Sequence, residues 1–273
     1  MDILSEVMAA LDVKCTAVRP ISLNGVYRGR PAALQALYVV SGRCTLWIPG
    51  DAAEFELRPP DCVLIADGSD HEIRGPSRSF SPARLLRCVY DLDRALPHPL
   101  ARQLPQHLLL RSRDLTDESE LGRAAWRLEG ELINARTGFE FVARRLADVM
   151  LVEVLRRSQL DGTRPAFLAA LSDPVIHEAL KQVHGQLARQ WHVPELAKSV
   201  GLSRAAFADR FQHRVGEPPL RYIRHWRMLK AHRELRRTTL PIKAIAAAAG
   251  YESAAGFRRA FRRVFGRAPS TLR

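Results

Sequence analysis

The stretch "GYESAAGFRRAFRRVFGRAP", residues 250–269, sets five arginines among four aromatic residues. Phe257, Phe261 and Phe265 recur every four positions and form one helical stripe, with Arg258, Arg259, Arg262 and Arg263 beside or opposite it. The spacing predicts a helix that buries the aromatic stripe and keeps the arginines in solvent. For a single helix a solvated basic face would be an ordinary outcome. This stretch, however, occurs twice.

About fifty residues upstream, a distance typical of repeated units, "ELAKSVGLSRAAFADRFQHRVGEPP" (195–219) lies over "AIAAAAGYESAAGFRRAFRRVFGRAP" (244–269). Leu196, Ala197 and Gly201 match Ile245, Ala246 and Gly250. After a one-residue insertion, Phe207, Phe211, Gly216 and Pro219 match Phe257, Phe261, Gly266 and Pro269. Each copy reads as a short apolar helix, a glycine turn suited to positive φ, and a second helix that starts at a serine N-cap, Ser203 or Ser253. Two helices joined by so short a turn form a helix-turn-helix unit, whose second helix enters the major groove of DNA.

The charge is distributed accordingly. Residues 174–273 hold 20 Lys+Arg and 6 Asp+Glu, net +14, whereas residues 1–173 hold 22 and 23, net −1. Basicity confined to the segment with the paired motifs is the electrostatic footprint of polyanion binding. A membrane surface fits less well, because no helix joins a basic face to the broad Trp/Leu face that lies in lipid.

The tandem motifs are joined by the helical run "PLRYIRHWRMLKAHRELRR" (219–237). With "GLSRAAFADRF", "VGEPPLRYI", "WRMLKAH", "LPIKAIA", "GYESAAGFRRAF" and "FGRAP" in order, residues 174–273 closely resemble the DNA-binding domain of the AraC/XylS family of bacterial transcription regulators. One departure is Leu272, at a place where tyrosine is usual. Helical geometry sets Arg204, Ala205, Ala208, Asp209 and Gln212 opposite Phe207 and Phe211, and Ala254, Ala255, Arg258, Arg259 and Arg262 opposite the second stripe. The resemblance implies base reading from Ala205, Ala208 and Asp209, and from Ala254, Ala255 and Arg259, with Arg204 and Arg258 as neighbouring candidates. Arg259 is the strongest, because arginine pairs bidentately with guanine. Asp209 either reads a cytosine amino group or pairs with a neighbouring arginine. Arg210, Arg214, Arg224, Arg262, Arg263 and Arg267 are candidate phosphate contacts, which orient the protein without specifying sequence. His225 and His232 on the connecting run read as outward-facing, and Trp226 and Trp191 as core.

The first two thirds read differently. Between residues 31 and 92, "LQALYVVSG", "RCTLWIPG", "AEFELRPPD", "CVLIADGSDHEI" and "ARLLRCVYDL" are short β-branched or aromatic runs broken by Gly, Pro and Asp, as in a small antiparallel barrel or sandwich. Over residues 8–95 the pattern resembles the cupin-type sensor domain of many AraC-family regulators. His71 in "LRPPDCVLIADGSDHEI" stands at the cupin histidine position. The earlier run "ALYVVSGRCTLW" holds none of the other metal ligands, so neither a metal nor a catalytic residue is expected. Residues 117–159 turn helical, with Leu121, Ala125, Leu128 and Leu132, then Val142, Leu146, Val149, Leu151 and Leu155, at helical spacing. These helices either pair two chains or pack on the barrel, and "LDGTRPAF" (160–167) reads as a linker.

The expected fold is therefore multidomain α+β. A cupin-like β-barrel (1–95) precedes a helical dimerisation and linker segment (96–163), followed by an all-α domain with two helix-turn-helix motifs (164–273). The expected partners are double-stranded promoter DNA, a second copy of the chain, an effector and, through the resemblance, RNA polymerase. No cofactor is implied. The chain shows no apolar run of ~18 residues and no secretion signal, so a cytoplasmic location is expected.

The effector is either a small molecule in the barrel or an oxidant acting on thiols. Cys15, just before the first predicted strands, and Cys88, read as a buried neighbour of the barrel interior, are the sensor candidates with His71. Arg19 or Arg87 would lower the pKa of a reactive thiol. The rival classes are a ligand-independent architectural DNA-binding protein and a cupin enzyme fused to a DNA-binding module. Nucleotide-binding glycine loops, nucleophile elbows and HExxH are absent from the sequence.

Overall fold

The structure, a computed structural model, describes residues 2–29, 33–50, 54–66, 70–76, 81–93, 95–111, 120–158 and 166–272. The chain divides into two compact units. One comprises Lys14–Leu92 and Leu104–Arg164, and the other Met1–Val13, Asp93–Gln103 and Pro165–Arg273. These divisions differ from the three consecutive segments read from sequence, because residues at both ends of the β region pack among the C-terminal helices.

The first unit contains two facing antiparallel sheets. Strands β1 (Lys14–Leu23), β2 (Val26–Gly29), β3 (Leu34–Ser41), β4 (Cys44–Trp47), β5 (Phe55–Leu57), β6 (Cys62–Ile65), β7 (His71–Arg74), β8 (Ala83–Asp91) and β9 (His107–Leu110) follow in chain order. They form one sheet in the order β1-β8-β3-β6-β9 and another in the order β2-β7-β4-β5. Side chains alternate between faces. Leu37, Val39, Val63, Ile65 and Leu85 of the first sheet meet Leu46, Leu57 and Ile73 of the second in one aliphatic cluster. Truncating Leu37 to alanine there would cost about 2–5 kcal/mol. The interior of the sandwich is thus occupied by packed hydrocarbon along most of its strands.

The opposite face of the five-stranded sheet carries Ala36, Tyr38, Cys62, Leu64, Leu86, Cys88 and Tyr90, all buried. Helices α3 (Glu120–Asn134) and α4 (Phe139–Arg157) pack together, with α3 against β3 and α4 against β1. Tyr90 donates its hydroxyl to the Ala147 carbonyl at 2.8 Å. Cys88 therefore faces the helices, not the barrel interior as read from sequence. The buried side of α4 is Ala143, Ala147, Met150, Leu151, Val154 and Leu155, whereas Val149 is exposed. Small alanines allow close approach to the sheet, and a periodic count of large apolar residues overlooks them.

The second unit is helical. It holds α1 (Ile3–Leu11), α2 (Pro99–Arg102), α5 (Ala166–Leu171), α6 (Pro174–Gly185), α7 (Val193–Ser199), α8 (Arg204–Val215), α9 (Pro219–Arg237), α10 (Ile242–Ala248) and α11 (Ala254–Phe265), ending in a 3-10 turn at Pro269–Leu272. Helix α1 buries Ile3, Leu4, Val7, Ala10 and Leu11 and packs on α6 and α9. Of the expected linker, residues 160–165 lie outside the described residues, and Ala166 and Phe167 open α5.

Helix α9 buries most of its circumference, including Tyr222, Ile223, Trp226, Met228, Leu229 and His232. That overturns the outward-facing reading of two histidines. His232 stacks on Phe265 at 4.8 Å between ring centroids, and His225 is largely buried with its Nδ1 2.8 Å from Glu217 Oε2. A helix packed on several sides shelters residues that a one-face pattern would place in water.

Candidate nucleic-acid interface

The two copies fold alike down to their caps. Ser203 Oγ accepts the Ala206 N–H at 3.2 Å, and Ser253 Oγ accepts the Gly256 N–H at 3.1 Å. In the turns Gly201 and Gly250 have φ of 73° and 75°, and the residue after each donates its N–H back to the first helix at 2.9 Å, Leu202 to Ala197 and Tyr251 to Ala246. Gly250 has a second reason to be glycine, because a Cβ there would lie 2.7 Å from the Ala188 carbonyl oxygen. Phe207 and Phe211 are fully buried 5.6 Å apart, and Phe257 and Phe261 fully buried 5.7 Å apart. Each second helix therefore presents one fixed outer face.

On α8 that face shows Arg204, Ala205 and Asp209 exposed and Ala208 half-buried. On α11 it shows Ala255, Arg258, Arg259, Arg262 and Arg263 exposed and Ala254 half-buried, with Arg267 exposed just beyond. Among the described residues none of Arg204, Arg258, Arg259, Arg262, Arg263 and Arg267 joins an ion pair. Asp209 has no arginine partner there either, which leaves it open to a base amino group.

Two phosphate candidates of the first copy are placed otherwise. Arg210 is bound bidentately to Asp173, the N-cap of α6, and Arg214 Nε lies 3.3 Å from the same carboxylate. Asp173 was not singled out in the sequence. "DP" ahead of an apolar run does signal a helix start, but no local pattern ties it to an arginine 37 residues along. Arg224 is exposed and lines a cleft of about 470 Å³ with Arg227, Gln190, Trp191, Tyr251 and Ser253. Arg227 is committed to the carbonyls of Leu187 and Arg189, at 3.0 and 2.5 Å.

Of the sensor candidates, Cys15 lies within β1 rather than before the strands, and its N–H donates to Asp148 Oδ1 at 2.6 Å. The polar run "KCTAVRPISL" hides an edge strand, where a proline is tolerated. Cys15 and Cys88 are both buried and free, diagonal neighbours on β1 and β8, and the Cys15 S–H donates to the Ala17 carbonyl at 3.3 Å. The Cys88 S–H holds the Cys15 pKa below that of an ordinary thiol, although burial and the Asp148 carboxylate push it up. Cys88 is correspondingly raised, by the Cys15 contact first and then by burial. The arginines proposed for this role are engaged elsewhere, Arg19 with the Val18 carbonyl and Arg87 with the Tyr27 hydroxyl. Burial pushes the Cys44 thiol up to about 12 and raises Cys62 further.

His71 is buried at the start of β7, with Nε2 3.2 Å from Gln35 Nε2 and its ring 5.9 Å from that of Tyr27. Among the described residues no three His, Cys, Asp or Glu side chains converge as a metal site requires, and no helix is long and apolar enough to cross a membrane.

Tandem units of this geometry, joined by one long helix, define the class of double helix-turn-helix proteins. Residues 2–158 match the cupin family model, and residues 196–273 match a helix-turn-helix domain model. The chain is 38% identical over 148 residues to a protein of Streptomyces antibioticus named as an AraC-like transcription regulator, covering 54% of this chain and 49% of that one. It is 27% identical over 225 residues to the RCS-specific HTH-type transcriptional activator RclR of Escherichia coli strain K12, covering 80% of this chain and 77% of RclR. The chain thus spans about half the length of the Streptomyces relative. Fatty-acid-bound ToxT from Vibrio cholerae aligns over 95% of the chain at 13% identity and a TM-score of 0.42. The chain belongs to the AraC family of transcription regulators, as a member with a cupin domain ahead of its helix-turn-helix domain.

Proposed function

We propose that this chain binds double-stranded promoter DNA in a sequence-specific way and regulates transcription in response to an oxidant sensed by Cys15 and Cys88. The observation that supports DNA binding best is the outer face of α11, where four arginines and the adjacent Arg267 stand without ion-pair partners among the described residues. The second copy supplies most of the affinity, and the first reads its half-site through Asp209 and the methyl groups of Ala205 and Ala208. The two half-sites lie one helical turn apart, ~10 bp.

For the input, the structure favours thiols over a ligand inside the barrel. The interior is filled with aliphatic side chains, whereas the two buried, free cysteines are diagonal neighbours on adjacent strands. The Cys15 thiolate attacks hypochlorous acid to give a sulfenyl chloride and hydroxide. The Cys88 sulfur then displaces chloride, releasing its proton, and a disulfide forms. RclR, which aligns over both units, carries "RCS-specific" in its name. Trp126, Ile133, Phe141 and Val149, exposed at 77%, 64%, 68% and 53%, give α3 and α4 an apolar face suited to a second copy of the chain. The cytoplasm and contact with RNA polymerase follow from a promoter-bound activator.

The test is operator affinity across salt and redox state. The log–log salt slope should be on the order of −5 or steeper if six or more phosphates are neutralised. Mild hypochlorite should change operator affinity for the wild type and not for Cys15→Ser with Cys88→Ser. Salt-independent binding would remove the DNA assignment, and an equal response of wild type and double mutant would remove the thiols.

A further inference from the structure

We propose that residues Asp93–Gln103 carry the signal from the thiol pair to the first recognition helix, an inference that rests on the oxidant-sensing reading above. The chain leaves the β unit after β8, spends this segment inside the helical unit, and returns to the β unit before β9. Cys88 lies on β8, near the point of departure.

The segment is built into the helical unit at two places. His98, fully buried, caps α2 by accepting the Leu100 N–H at Nδ1 (3.2 Å), and its ring stands edge-on to Phe167 at 4.6 Å and to Tyr222 and Trp226 at 5.8 and 5.9 Å. Gln103 covers Gly216, the C-cap of α8, so closely that a Cβ on Gly216 would land on its amide, and Gln103 Oε1 is buried with no hydrogen-bond partner among the described residues. Helix α2 also packs on α5, and α5 on α8. The end of the first recognition helix is therefore seated against a segment that hangs from β8.

Oxidation has a geometric consequence at the other end of this connection. Val18 is opposite Cys88, Tyr90 is opposite Cys15, and the register shifts between Cys15 and Ala17. The two cysteines are thus diagonal neighbours on one face, a relation that normally sets Cα atoms about 7–8 Å apart. A disulfide draws Cα atoms to about 5.5–6 Å. Two electrons and two protons leave the thiols for hypochlorite or peroxide, and β1 and β8 must close up where β8 hands over to Asp93. The buried His98 anchor transmits that displacement, because its ring has no room to turn among three aromatic neighbours.

The experiment uses the full chain in three forms: wild type, Gln103→Ala, and a Gly-Ser-Gly-Ser insertion between Leu92 and Asp93. Disulfide yield is followed by mass, operator affinity by titration before and after hypochlorite, and amide exchange across Arg204–Val215. The expected result is a change in wild-type affinity of about fivefold or more, with altered exchange in α8. The insertion variant should form the same disulfide while its affinity ratio falls to within about twofold of unity. If the wild type responds and both variants keep its ratio, the connection through Asp93–Gln103 is overturned while thiol sensing stands. If the wild type forms the disulfide without any change in affinity, thiol sensing falls. The connection is then decided in reduced protein, where either variant must shift operator affinity by about threefold, and unchanged affinity there overturns it too.

Discussion

Arg210 on the first recognition helix grips Asp173 at the N-cap of α6 with two nitrogens, Nε to Oδ2 at 3.0 Å and Nη2 to Oδ1 at 2.9 Å. Burial alone would raise the Asp173 pKa. The Arg210 bonds and the N–H groups of Ile176 and Val175 outweigh it and hold the carboxylate below its usual range. The pair fixes the rotation of α8 about its own axis, and with it the face that Ala205 and Asp209 present.

Arg210→Ala should therefore behave as a stability mutant. Losing a charge-assisted bidentate bond and leaving Asp173 underpartnered should cost about 1–3 kcal/mol in urea melts, with the salt slope of DNA binding unchanged. A slope smaller by about one, with an unaltered melt, would identify Arg210 as a phosphate contact after all.

In the second copy the same helical position logic separates reading from anchoring. Arg259→Ala should cost roughly 1–3 kcal/mol on the operator and relax preference at one base pair, whereas Arg263→Ala should weaken operator and random DNA alike. Binding titrations on both kinds of duplex measure the difference. Equal losses for both mutants would place base reading on a different edge of α11.

Cys15 should be the faster thiol. Its depressed pKa populates the thiolate at a lower pH than in an ordinary thiol, so the pH midpoint for reaction with iodoacetamide should lie below that of a free cysteine thiol in the same buffer. Cys88→Ser replaces a thiol donor by a hydroxyl, and Cys88→Ala removes it. The alanine variant should move the midpoint upward, and mass-resolved labelling across pH would show it.

The helical unit should weaken in acid. Burial, then Lys230, brings His184 to about 3, and burial with His184 and His225 keeps His98 well below its ordinary value. Both folded values lie under the unfolded value near 6.5, so the unfolded chain takes up protons that the folded one refuses. Their contribution is complete above pH ~6.5 and is lost as pH falls toward 3, at up to about 1.4 kcal/mol per pH unit for each histidine. His98→Asn, which keeps a capping acceptor, should flatten the slope of melting free energy against pH by one histidine's share. A slope unchanged from wild type would mean His98 is already protonated in the fold.

Trp126→Glu with Phe141→Glu should shift the chain toward monomer in sedimentation with little change in melting, because both side chains are mostly exposed. A monomeric wild type would show that the apolar face of α3 and α4 serves something other than self-association.

The DNA-facing half of this molecule was legible because its signals are local and repeated. Phe207 and Phe257, the serine caps and the turn glycines each declare themselves within a few residues, and the second copy checks the first. What stayed hidden depends on partners distant in sequence. Arg210 and Arg263 look equivalent as letters, and only the return of Asp173 from an earlier helix distinguishes them. Strand β1 was missed because Arg19 and Pro20 sit where an edge strand meets water, and the side on which Cys88 falls depends on which face of the sheet the later helices cover. His225 and His232 were misplaced for the complementary reason, since α9 is enclosed by elements from both copies.

The excursion of Asp93–Gln103 into the helical unit bears on how such regulators can be recombined. A chimera cut at a single junction near residue 164, with a foreign sensor grafted ahead of it, would discard His98, Gln103 and helix α1 along with the barrel, exposing Phe167, Tyr222 and the cap of α8 to solvent. Grafts that respect the architecture must exchange only Lys14–Leu92 and Leu104–Arg164. Inheritance of new inputs by gene fusion would then be constrained to relatives that conserve the threaded segment, and the boundary between sensing and reading would be a weave rather than a seam.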